Sequence, residues 1–145
     1  MLYGSDILGY AKQKMSKLQR IEKAVYRAIL GASSYALIPT LRGEIGSSTM
    51  YTRIRGNQLK YLKYIEENES NDLLRRIIEE KLNTPKDYKI QTTKEFMKHT
   101  KIKHSDLKGM KAQKLKGKII EWDTENWEKE VAERSSLNIY RKFKK

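Results

Sequence analysis

No stretch of this chain alternates Val, Ile or Thr with polar residues, and its two prolines, Pro39 and Pro85, leave three long stretches dominated by Lys, Glu, Leu, Arg and Ala. Strands need β-branched alternation, whereas those five residues lose little freedom in a helix, so the pattern predicts an all-α protein. From Lys12 to Leu30, Met15, Leu18, Ile21, Val25, Ala28 and Ile29 recur at three- and four-residue steps, with Gly31 as the C-terminal cap. Tyr35 to Ile45 reads as a short helix with Pro39 near its first turn and Gly46 just past its end. Ser47 and Ser48 are expected to cap a helix from Thr49 to Glu67, striped by Met50, Ile54, Leu62 and Ile65 and joined by Tyr51, Leu59 and Tyr61.

A fourth helix carries Leu73, Leu74, Ile77, Ile78 and Leu82 and stops before Pro85, because the residue preceding a proline avoids the helical region. Thr92 to Glu95 has the order of a capping box, which predicts a helix start there. After Ser105 a helix is expected to run to Trp122, with Ala112, Leu115, Ile119 and Trp122 on one face. Lys111, Lys114 and Lys118 form a cationic neighbouring face. Gly109 and Gly117 weaken that helix, so partial order before ligand binding is expected. Asp123 or Thr124 then caps a last helix with Trp127 and Val131, before Leu137, Ile139, Tyr140 and Phe143. The expected architecture is a multi-helix bundle over residues 1–90 and a basic, Trp-containing helical extension over 91–145.

Charge narrows the function. Thirty-one Lys and Arg against eighteen Asp and Glu give a net charge of +13, more than solubility requires of a small domain, and imply a polyanionic partner, RNA or DNA. A lysine-rich solvated surface is the competing reading. The excess is concentrated between Lys98 and Lys118, where eight lysines face one acid, Asp106. Lys101, Lys103, Lys108, Lys111, Lys114 and Lys118 are the candidate phosphate contacts. Arg53, Arg55, Lys60 and Lys63, with Asn57 and Tyr64, make a second cluster. Residues 53, 60, 63 and 64 lie close around a helix, because 7, 10 and 11 residues are near whole turns. Trp122 is expected to pack rather than stack on bases.

Catalytic groups are scarce. The chain has no cysteine; His99 and His104 stand among lysines; the aspartates are scattered; and Gly43-Glu44-Ile45-Gly46 lacks the Lys-Ser or Lys-Thr of a phosphate loop. No enzyme activity, metal or cofactor is therefore expected. No apolar run approaches the length of a membrane span, and Met1 to Asp6 has neither the basic lead nor the apolar core of a signal peptide, which predicts an intracellular protein of the nucleus or cytoplasm.

Leu2-Tyr3-Gly4-Ser5-Asp6, then Leu18 to Lys23 leading to Arg27-Ala28-Ile29-Leu30-Gly31, then Leu41-Arg42-Gly43-Glu44-Ile45-Gly46 with Arg53-Ile54, resemble the region following the palm of non-LTR retrotransposon reverse transcriptases. Trp122 to Trp127 and Ser136 to Tyr140 with Phe143-Lys144 resemble the carboxyl-terminal segments of such polymerases. The resemblance implies a helical thumb and post-thumb segment that grips a template–primer duplex or element RNA. It also implies a polymerase domain upstream that holds the catalytic aspartates. Asp6 stands where Glu is commoner in that family, and no Cys-rich knuckle follows. Arg42, Glu44 and Gly46 are expected to fix the short helix and its turn. The alternative is an assembly domain, a homo-oligomer for example, docking through Trp127, Leu137, Ile139 and Tyr140.

Overall fold

The computed structural model describes residues 12–68, 72–84 and 88–143, helices joined by turns and short irregular connections with no strand among them. The Tyr3 to Asp6 motif, Pro85 and Lys144 lie outside the described residues. Helix α1 spans Lys12–Leu30, α2 Ile38–Ile45, α3 Met50–Glu67, α4 Asp72–Asn83 and α5 Tyr88–His99. A short α6, His104–Leu107, precedes the long α7, Ala112–Ala132; a 3-10 turn, Ser135–Leu137, leads into α8, Asn138–Phe143. The all-α, multi-helix expectation holds. No described helix is long and apolar enough to cross a membrane.

Helix α3 is the axis of the bundle, packed against α1, α4, α5, α6 and α7. Its apolar residues Ile54, Leu59 and Ile65 are almost wholly buried. The main core joins Leu59 to Phe96 and Met97 of α5, Ile102 and Met110 of the connections, Leu107 of α6, and Leu115 and Ile119 of α7. Each fully buried Leu or Phe contributes about 1.5–3 kcal/mol. This core crosses the boundary expected at residue 90. The stretch from 91 onward supplies most of it and is an integral part of the bundle rather than an extension.

Several local expectations change for physical reasons. Thr49, not Ser47 or Ser48, caps α3: its Oγ1 accepts from the Thr52 amide at 3.1 Å. Ser47 instead donates to the Tyr26 hydroxyl at 3.0 Å. The Thr92–Glu95 pattern lies inside α5, since four residues with capping order fit a helix interior equally well. No single helix runs from Ser105 to Trp122. The chain turns at Lys108–Met110 so that Leu107 and Met110 both reach the core, and Gly109 occupies the turn. Gly117 remains within an unbroken α7, which also runs through Asp123 and Thr124.

The largest change concerns α1. Met15 and Tyr26 are buried, while Ile21, Val25 and Ile29 are 60%, 46% and 65% exposed. Glu22 sets this rotation: its Oε1 accepts from the Met50 amide at 2.6 Å and from the Tyr26 hydroxyl at 2.7 Å. A carboxylate at the start of α3 satisfies an orphan amide and complements the helix dipole. Adjacent residues on a helix differ by about 100° in direction, so turning Glu22 inward turns Ile21 out.

Candidate nucleic-acid interface

The lysine zone is built by burying what lies between its lysines. Ile102, Leu107, Met110 and Leu115 are anchored in the core, so the chain between α5 and α7 is held against the bundle at short intervals. Lys98, Lys101, Lys103, Lys108, Lys111, Lys114 and Lys116 are all exposed. None of these side chains forms an ion pair with a described residue. Ammonium groups on a fixed backbone, without internal carboxylate partners, are suited to phosphate oxygens and indifferent to base sequence.

The end of α5 shows how the zone keeps its shape. The Ile102 amide donates to the Met97 carbonyl at 2.9 Å and the Lys101 amide to the Lys98 carbonyl at 3.2 Å. Met97 and Ile102 are both buried. That is a Schellman termination, with Lys101 at φ 53° in the left-handed position that usually takes glycine. Lys118 is half-buried, and its Nζ donates to the Lys101 carbonyl at 3.0 Å, so this candidate is a brace within the zone as well as a charge.

The second cluster divides. Arg53, Lys60 and Tyr64 share an exposed strip of α3, as the 7- and 11-residue spacings predicted. Lys63, ten residues from Arg53, is turned against the bundle and paired with Glu67, so it is withdrawn as a phosphate contact. Arg55 is withdrawn as well. It is 5% exposed, donates through Nη1 to Gln58 Oε1 at 2.9 Å, and holds its guanidinium 5.2 Å above the Tyr51 ring. Tyr61, expected to pack, is 48% exposed beside Tyr64 at 56%. For Tyr64 the sequence signal was available, because it lies 11 residues from Arg53 and four from Lys60 on one side of the helix; Tyr61, seven residues from Ile54 and four from Ile65, lies beside the apolar stripe, and its exposure was not legible from spacing.

Helices α3 and α7 run antiparallel, because Thr52 meets Asp123 and Gly56 lies against Ile119. One further turn along α3 brings Lys60 level with the Leu115–Lys116 turn of α7.

Trp122 packs as expected, edge-on to Phe96 with ring centroids 4.9 Å apart and tilted against Tyr51 at 6.2 Å. His99 lies over its outer side, centroids 6.2 Å apart. His104 is drawn to the buried Glu66, Nε2 to Oε1 3.3 Å, where α6 meets the end of α3. No group of three or more possible metal ligands occurs among the described residues.

The groove between α2 and α7 is a cavity of about 250 Å³ whose lining includes Arg42, Ser47, Ser48, Asp123 and Trp127. Its cation and carboxylate, Arg42 and Asp123, are bonded to each other. Trp127 and Tyr140 are also committed: Trp127 Nε1 donates to the Pro39 carbonyl at 2.7 Å, and the Tyr140 hydroxyl meets the Thr40 carbonyl at 3.2 Å and Glu44 Oε1 at 2.9 Å. Arg42 and Glu44 thus tie α2 to α7 and α8, and Gly46 ends α2 at φ 65°.

Compared with protein-family models, curated proteins and solved structures, the chain matches none.

Proposed function

We propose that this chain is a nucleic-acid-binding helical module that holds RNA or DNA phosphates through lysines and performs no chemistry of its own. One observation carries the reading: between Lys98 and Lys118 the apolar residues are locked in the core while the lysines between them face solvent unpaired. A merely soluble surface needs no such density of one sign, and Lys63, which is turned into the bundle, has an acid partner where the exposed lysines of the zone have none among the described residues. The order of motifs along the sequence supports placing the module in the post-palm region of a non-LTR retroelement reverse transcriptase. There it would work beside an upstream polymerase domain.

The test is binding to matched single- and double-stranded RNA and DNA across a salt series. Affinity is expected to fall steeply with salt, with a slope of roughly 0.9 per phosphate neutralised on duplex DNA. Replacing Lys108, Lys111 and Lys114 with Glu is expected to abolish most binding without unfolding the bundle. Salt-independent binding, or binding that survives this reversal, overturns the proposal.

A second reading, assembly through an apolar face, is favoured by α1 rather than by the carboxyl-terminal residues first expected to carry it. Of those four, Trp127, Leu137 and Tyr140 are used internally and Ile139 alone is exposed, at 71%, whereas Ile21, Val25 and Ile29 form an exposed stripe along α1. Light scattering decides: a dimer that becomes a monomer on Val25→Glu supports assembly, and a monomeric wild type removes it.

A further inference from the structure

We propose that the exposed strip of α3 formed by Arg53, Lys60, Tyr61 and Tyr64 is a stacking site for unpaired nucleobases, so that the module prefers single-stranded to duplex nucleic acid. The inference rests on the nucleic-acid reading above and adds the class of strand.

Helix α3 is enclosed on most of its circumference, and the face it leaves open is chemically selective. Thr52, Ile54, Arg55, Gly56, Gln58, Leu59, Lys63, Ile65 and Glu66 are buried on its other sides. On the open side Tyr61 and Tyr64 expose about half of their surface. Neither tyrosine forms a hydrogen bond or ring contact with another described residue, so the exposed half of each ring is uncommitted. Tyr51, Phe96 and Trp122 pack on one another, and Tyr26 and Tyr140 are hydrogen-bonded, whereas Tyr35 and Phe143 are also exposed, singly, off this strip.

The spacing suits a strand. Tyr61 and Tyr64 are separated by about 4.5 Å along the helix axis and about 60° around it, so the two rings present separate faces rather than one. Aromatic faces capture unpaired bases without regard to sequence, since every base offers a π-face, and a duplex keeps those faces in its own stack. Cations complete the site. Lys60 lies one turn and Arg53 three turns before Tyr64 on the same side, both exposed, and Tyr61 flanks them at the edge of the strip, so ammonium and guanidinium groups are within reach of the backbone of a strand whose bases lie on the rings. Glu67, the acid at the end of this face, is engaged by Lys63. Helix α3 adjoins α7 through Gly56 and Ile119, and of the strip Lys60 lies nearest in direction to that contact.

The test compares wild type, the double variant Tyr61→Ala/Tyr64→Ala and the double variant Tyr61→Phe/Tyr64→Phe. Fluorescence anisotropy with labelled oligo-dT and oligo-rU, and with a mixed-sequence duplex of equal length, reads the affinities, and circular dichroism checks the fold. The alanine pair is expected to lose about tenfold or more in affinity for the single strands and less than about twofold for the duplex. The phenylalanine pair keeps the wild-type preference, because stacking needs the ring and not the hydroxyl. Equal losses on both ligands, no loss on the single strands, or an equal loss with phenylalanine would each overturn the stacking site. Those outcomes are separate from failure of the underlying reading, which shows as a wild type that binds neither ligand at low salt and which removes both.

Discussion

Arg42 and Asp123, 81 residues apart in the chain, meet in a buried ion pair with Nη2 2.7 Å from Oδ2, and the same nitrogen donates to the Asp123 carbonyl at 3.2 Å. The other carboxylate oxygen accepts from the Thr52 hydroxyl at 2.5 Å. One aspartate therefore joins α2, α3 and α7, and both of its oxygens are satisfied. Burying charge is costly, so such a pair fixes which helices meet more than it adds net stability.

Removing one partner should be severe. Asp123→Ala leaves the Arg42 guanidinium, 5% exposed, with two backbone carbonyls and the more distant Glu130 as its partners, and is expected to cost about 3 kcal/mol, a fall on the order of 10 °C in Tm. Thermal melts check this. Restoring most of the lost stability in the double variant Arg42→Met/Asp123→Leu would show that the loss came from the unpaired charge.

Two glycines should respond differently to alanine. A Cβ at Gly43 would stand 2.5 Å from the Tyr140 oxygen and 2.8 Å from Trp127 Cζ2, so Gly43→Ala is expected to cost about 1–3 kcal/mol and to shift the Trp127 emission as α8 is displaced. At Gly56 the nearest atom is Ile119 Cδ1 at 3.4 Å, a flexible tip. There the gain in helix propensity offsets the crowding, and Gly56→Ala should stay within about 1 kcal/mol of wild type in chemical denaturation.

Lys101 separates stability from binding. Its φ of 53° strains any residue with a Cβ, so Lys101→Gly is expected to raise stability by about 1 kcal/mol. The same change removes one cation from the interface and should lower the salt slope of nucleic-acid binding by about one contact. Denaturation and binding measured on one preparation test both halves.

Tyr140 gives an alkaline signature. Partial burial, then the hydrogen bond to Glu44 and its charge, push the phenol up to about 12. A folded value raised above the ordinary value near 10 means that the stabilisation is complete below pH 10 and is lost as the pH rises towards 12. The stability difference between wild type and Tyr140→Phe should shrink across that window, as melts at successive pH values would show.

Arg55 and Lys114 should exchange phenotypes relative to what their charge alone suggests. Arg55→Ala removes the guanidinium over Tyr51 and the bond to Gln58, so it should lower Tm. Lys114→Ala, at an exposed site, should leave Tm unchanged and weaken nucleic-acid binding. Parallel melts and anisotropy titrations distinguish them.

Helix positions were legible from the sequence wherever a local device sets them: Gly31 and Gly46 at positive φ close α1 and α2, and Pro39 opens α2. The exposed lysines after Lys98 were legible too, because an ammonium without a carboxylate in reach stays in water. Orientation was not. The apolar stripe Ile21, Val25 and Ile29 pointed to the core, yet Glu22 took the inward side by capping the start of α3, a contact made across 28 residues. Likewise Asp123 carries a helix-cap residue type and is instead the buried partner of Arg42. Arg53 and Arg55 differ by two positions and by everything in environment.

What the sequence determined by itself is the all-helical character, the termini set by glycine and proline, and the placement of excess charge, since each follows from interactions within a few residues. What only the tertiary structure decided is which face of each helix is buried and which cations remain available to a ligand. Those depend on hydrogen bonds and ion pairs between residues far apart in the chain, and a local pattern carries no record of its distant partner.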